Sequence, residues 1–103
     1  MRTRKDDWKP KAGSAEEFLR LSDEESAYID LKLRLAEGLR ERRQRNRLSQ
    51  VELAKMIKSS QSRVAKMESG DPSVSLDLLI RSLLALGISD RELSRIISTS
   101  RAA

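Results

Sequence analysis

Cysteine and histidine are both absent from the 103 residues. The first absence excludes disulfides and thiolate metal sites. The second removes the commonest metal ligand, the usual general base and any Ser-His or Cys-His nucleophile, so little points to an enzyme. Aromatic residues make up only 3% of the chain, so the interior must be built from Leu, Ile, Val, Ala and Met. Leu is plentiful and strand-favouring types are scarce, which points to helices. No apolar run approaches the roughly 18 residues of a membrane span, and the charged N-terminus lacks the apolar stretch of a secretory signal. A soluble cytoplasmic protein, with no cofactor, metal or membrane, is the expectation. The length fits one domain, small enough that a subunit interface would add to its stability.

What the chain has in excess is positive charge, Lys+Arg 21 against Asp+Glu 16 for a net +5. Residues 1–33 carry seven basic and eight acidic groups, residues 34–47 six and two, residues 48–70 four and two, and residues 71–103 four of each. The whole excess therefore lies between Arg34 and Lys66. A localised basic band is an electrostatic footprint for phosphate backbones or anionic lipid, and it equally fits a solvated face.

Met1 to Gly13 shows no period and reads as a mobile arm holding Trp8. Ser14 with Glu17 and Ser22 with Glu25 both fit the capping box, so the spacing predicts a short helix with Phe18, Leu19 and Leu21, then a long one over about 23–45. On the long helix Tyr28, Leu31, Leu35 and Leu39 form one apolar stripe, and Ile29, Leu33 and Ala36 form another beside it. Ser49 caps a helix at 50–57 with Val51, Leu53, Ala54 and Ile57 inward, and Ser60 caps one at 61–69 that stops at Gly70. Ser75 caps a helix over 76–86, where six apolar residues from Leu76 to Leu86 span an arc of about 160°. Gly87 ends it, and Ser89 or Asp90 opens a last helix with Leu93, Ile96 and Ile97. Gly and Pro are expected only in connections, and no strand candidate survives.

Leu48 to Gly70 is the most specific stretch. It sets two short helices around a tight turn, each opening on Ser-Gln: Ser49-Gln50 and Ser60-Gln61. The second keeps Val64 and Met67 on one side and Ser62 and Lys66 on the other. A short helix buried on one side and polar on the other can enter the roughly 12 Å major groove, where Gln suits adenine and Lys suits guanine. Gln50, beside free backbone N–H groups at a helix start, suits a phosphate.

With these residues in place, residues 34–88 resemble the helix-turn-helix family of phage repressors and Cro, the XRE family. The resemblance rests on Arg42-Arg43, Leu48-Ser49-Gln50, Leu53-Ala54, Ser60 to Val64, Glu68-Ser69-Gly70 and the run from Pro72 through Leu76, Leu79, Leu83 and Leu86 to Ile88. It implies an all-α, five-helix repressor-like domain at 34–103, preceded by the arm and an N-terminal helical extension at 1–33. It also implies a sequence-specific transcriptional repressor that binds double-stranded DNA as a homodimer. Gln61, Ser62 and Lys66 would face base edges; Gln50, Ser60, Arg63, Arg42 and Arg47 would meet phosphates, with Gln50 also supporting Gln61; Arg43 would pair with Glu68. Two positions depart from the family pattern. Lys58 replaces a frequent turn Gly, where a left-handed backbone costs roughly 1–2 kcal/mol, and Asn46-Arg47 replaces the frequent Gly before Leu48, with Asn the residue suited to that conformation.

Each role has a plainer competitor. Ser49 and Ser60 are needed as caps whatever the chain binds, and arginines at a helix end also serve solubility. Family members with flanking segments resemble antitoxins, whose extra segment covers a small basic ribonuclease toxin. Glu16-Glu17 and Asp23-Glu24-Glu25 suit such a partner and equally suit capped helix starts. A helical adaptor that binds protein through its apolar faces is the remaining alternative.

Overall fold

A computed structural model describes residues 15–99, with side chains from Ser22 onward. Trp8 with its arm, the Ser14 cap, the side chains of Phe18, Leu19 and Leu21, and the C-terminal tail lie outside the described residues. The described residues form five helices: α1 (Ala15–Arg45), α2 (Gln50–Met56), α3 (Gln61–Ser69), α4 (Leu76–Ala85) and α5 (Asp90–Ser98). The architecture is all-α.

The helix starts follow local chemistry. Ser49 and Ser89 form complete capping boxes with Glu52 and Glu92, and the hydroxyls of Ser60 and Ser75 accept from the backbone N–H of Arg63 and Leu78. The helix ends share one device. After α1, α2, α3 and α4 the chain turns through a left-handed residue, at Arg47 (φ 60), Lys58 (φ 56), Gly70 (φ 77) and Gly87 (φ 86). Each turn closes with the paired backbone bonds of a Schellman motif, such as Leu48 N to Arg43 O at 3.1 Å and Ser59 N to Ala54 O at 2.8 Å. Arg47, rather than Asn46, takes the left-handed position. Asn46 instead directs its side-chain amide towards the Leu86 carbonyl.

Three sequence expectations change. No helix begins at Ser22, because α1 runs through it unbroken. A Ser-x-x-Glu spacing permits a start but cannot force one. Neither Gly nor Pro interrupts the stretch, and Ser inside a helix costs only a few tenths of a kcal/mol. Val51 is 49% exposed rather than inward. It sits two residues from buried Leu53, roughly 200° around the helix, so one face cannot hold both. Gly38 lies inside α1, not in a connection, and a Cβ there would come within 2.8 Å of Ile96. The missing side chain is what lets α5 lie close against α1.

One core joins the helices. Leu35, Ala36 and Leu39 of α1 meet Leu53, Ala54, Val64, Met67, Leu79 and Leu83, with Val74, Leu86 and Ile88 closing the gaps. α1 packs on α3, α4 and α5, and α2 packs on α3. At about 1.5 Å per residue α1 is some 46 Å long, close to the 51 Å length of the whole. It therefore extends past the core, which leaves Tyr28 and Ile29 44% and 49% exposed. Below that point α1 is tied in: buried Lys32 donates from Nζ to the Pro72 carbonyl at 3.3 Å and lies over the Tyr28 ring. Leu33 packs where a Cβ on Gly70 would sit.

The turns give a comparative prediction. Gly70→Ala should destabilise more than Gly87→Ala by about 1 kcal/mol, since both lose a left-handed glycine but only the first displaces Leu33. Lys58→Gly should stabilise by roughly 1 kcal/mol, by relieving the same conformation. Urea denaturation midpoints check all three.

Candidate nucleic-acid interface

α3 presents one face and buries the other. Val64 and Met67 are fully buried, while Gln61, Ser62, Arg63 and Lys66 are exposed. The split follows from 3.6-residue periodicity: 64 and 67 fall on one side, 62 and 66 opposite. Ser60 is exposed at the helix start, with its hydroxyl engaged by Arg63 N at 3.1 Å.

Behind this face stands an ion pair. Arg43 Nε lies 2.5 Å from Glu68 Oε2 and Arg43 Nη2 lies 3.0 Å from Oε1, a two-pronged contact with side chains only 11% and 5% exposed. Arg43 Nη1 also donates to the Leu48 carbonyl at 2.7 Å. The hydrogen bonds that Arg43 donates to Glu68 raise its pKa, against burial, so its charge is held at any ordinary pH. From Glu68 the contacts continue outward: Gln50 Nε2 donates to Glu68 Oε1 at 3.1 Å, and Gln61 Nε2 donates to Gln50 Oε1 at 2.6 Å. Arg43, Glu68, Gln50 and Gln61 thus form one line from interior to surface. The Gln50 link to Glu68 was not foreseen, because 18 residues separate them and only packing of α2 on α3 brings them together.

Arg42 stands elsewhere. Its Nη1 bonds Glu92 Oε2 at 2.7 Å, on the face of α1 turned to α5, and the structure does not bring it to the α3 residues. One helical step separates Arg42 from Arg43, about 100°, enough to send them to different partners. Arg47 is exposed at the α1–α2 turn and Lys58 at the α2–α3 turn, so two left-handed residues carry basic side chains beside the starts of α2 and α3. Beyond α3, Asp71 accepts from Ser73 N and Oγ, which holds its carboxyl below the usual range with help from Lys66 and Lys32.

A family model described as Helix-turn-helix matches residues 39–93, more than half of the chain. The chain belongs to the helix-turn-helix family. No curated protein and no solved structure matches it. The match runs from the last two turns of α1 to the start of α5 and contains every residue just described on the α3 face. This helix-turn-helix is a DNA-binding regulatory domain of the phage repressor and Cro type. Among the described residues, no helix is long and apolar enough to cross a membrane.

Two predictions follow from the ion pairs. Glu68→Ala should destabilise by about 3 kcal/mol or more, since it strands a guanidinium that is mostly shielded from water. Asp77→Ala, which breaks the exposed Arg81 pair, should cost under about 1 kcal/mol; thermal melts compare them. Glu92, whose pKa is lowered by the Ser89 backbone N–H and by Arg42, contributes stability that is present above the ordinary carboxylate pKa. That contribution is lost as pH falls through the depressed value, so Glu92→Gln should flatten the loss of stability on titration below about pH 4.

Proposed function

We propose that this protein is a transcriptional repressor that binds a two-fold operator as a homodimer. The observation that carries the reading is the exposed, polar face of α3 with its first residue, Gln61, held by Gln50. Gln61, Ser62 and Lys66 reach base edges in the major groove, where an amide and an ammonium match adenine and guanine respectively. Gln50, Ser60, Arg63 and Arg47 meet phosphates around them. Arg42 is left out of that set because Glu92 already holds it. A single short helix reads too few base pairs for a genome, so two half-sites about 34–36 Å apart supply the discrimination.

A second reading is favoured by one observation. Tyr28 and Ile29 are exposed on the stretch of α1 that follows Asp23, Glu24 and Glu25. Such an apolar and acidic segment suits a basic protein partner, as in an antitoxin that covers a small ribonuclease toxin and also represses its own operon. Substituting Glu at both Tyr28 and Ile29 separates the roles: DNA affinity persists and toxin capture is lost.

Salt dependence tests the first reading. About three phosphates neutralised per subunit, six per dimer, give a slope of log K against log[salt] near −5, and a monomer about half that. Binding titrations across a range of salt should return the steeper value, and a slope shallower than about −1 removes DNA binding as the function. Lys66→Ala should weaken operator binding by roughly 1–3 kcal/mol while sparing random DNA, and equal losses on both would assign Lys66 to the backbone.

A further inference from the structure

The four left-handed residues that follow helices in this chain divide by place. Gly70 and Gly87 take the turns after α3 and α4, while Arg47 and Lys58 take the two turns on either side of α2. A left-handed backbone brings Cβ too close to the following carbonyl oxygen, a crowding that glycine escapes. Lys58 is held in it, because its turn is closed by bonds from Lys58 N to Lys55 O at 3.2 Å and from Ser59 N to Ala54 O at 2.8 Å. We infer that the Lys58 side chain binds a backbone phosphate of DNA, and that its turn carries lysine in place of glycine for that contact. This rests on the proposal that α3 enters the major groove.

Lys58 is exposed, and no described residue pairs with its ammonium, so nothing within the described fold uses the charge. Solubility does not explain the position either. Lys55 already offers an exposed cation from within α2, where a helical backbone carries no such crowding. Lys58 stands two residues before the Ser60 cap and three before Gln61. At 3.8 Å between successive Cα atoms, its backbone lies within about 11 Å of that of Gln61. A phosphate flanking a base read by Gln61 is then in reach of the flexible lysine stem. The phosphate contacts proposed above are also short of charge. Gln50 and Ser60 are neutral and Glu92 holds Arg42, which leaves Arg47 and Arg63. Lys58 is the third cation that a dimer slope of about −5 requires of each subunit.

Stability and binding make opposite demands on position 58. Glycine relieves the backbone and removes the ammonium, so one substitution should raise stability and lower affinity. Asparagine tolerates the left-handed region and removes only the charge. Arginine keeps the charge. The side chain is exposed and lies outside the core, so each variant is expected to fold.

The experiment measures binding of the full-length protein to two duplexes of about 20 base pairs, room for two half-sites. One is the sequence that the parent protein selects from a randomised library, and the other is of random sequence. Affinities are read across a range of salt, with urea midpoints alongside. Lys58→Gly and Lys58→Asn are expected to lose affinity severalfold on both duplexes, since a phosphate contact carries no sequence. The slope of log K against log[salt] should become shallower by about 0.9 for each phosphate lost, hence by about 1.8 for a dimer. Lys58→Arg is expected to keep the parent slope, and Lys58→Gly to raise the urea midpoint. A stabilised Lys58→Gly that keeps the parent affinity and slope overturns the inference and leaves DNA binding standing, with Lys58 a solvated cation. A midpoint that does not rise in Lys58→Gly also overturns it, since no strain is then held for the contact. A parent slope shallower than about −1 overturns DNA binding itself, and this inference with it.

Discussion

The guanidinium of Arg43 bonds both oxygens of Glu68 and the carbonyl of Leu48, so a single side chain joins α1, the turn that follows it and α3. Apolar packing holds the helices together but is indifferent to rotation, because the hydrophobic effect has no direction. Val64 and Met67 could stay buried through a range of small rotations of α3. A two-pronged guanidinium–carboxylate contact could not be kept through the same range. Burying the pair costs desolvation, and such pairs often add little net stability. Here the contact fixes which residues of α3 face outward. Of the α3 surface, Gln61 is tied to that contact through Gln50.

The same economy appears at the turns. Four helices end through left-handed residues, and only two of those are glycine. Arg47 and Lys58 hold a conformation that costs each roughly 1–2 kcal/mol, and both put a positive side chain beside the helix starts that flank the polar face. Gly70 follows a different logic. It serves the turn after α3 and also admits Leu33, so the upstream part of α1 rests on the end of α3. Lys32, donating to Pro72, fixes the same junction.

Much of this was legible because it is local. Caps at Ser49, Ser60, Ser75 and Ser89 depend on residues three positions away, and the buried faces of α3 and α4 depend on a period of 3.6. Where local signals are permissive rather than obligatory, the structure departs from them. The capping spacing at Ser22 allows a start that α1 does not use, and Val51, apolar like its neighbours, faces outward because its angle to Leu53 forbids a shared face. Gly38 looked like a connection residue because glycine weakens helices, yet its lack of a side chain is what α5 requires.

The sequence by itself determined the all-α class, the order and caps of the helices from Ser49 onward, the basic band and the polar residues of α3. Those follow from neighbours along the chain, whose geometry is set by the backbone period. Only the tertiary structure decided three pairings across long separations: Arg42 with Glu92, Lys32 with Pro72, and Gln50 with Glu68. Which charge meets which depends on how helices cross, and a helix crossing is a property of the assembled core.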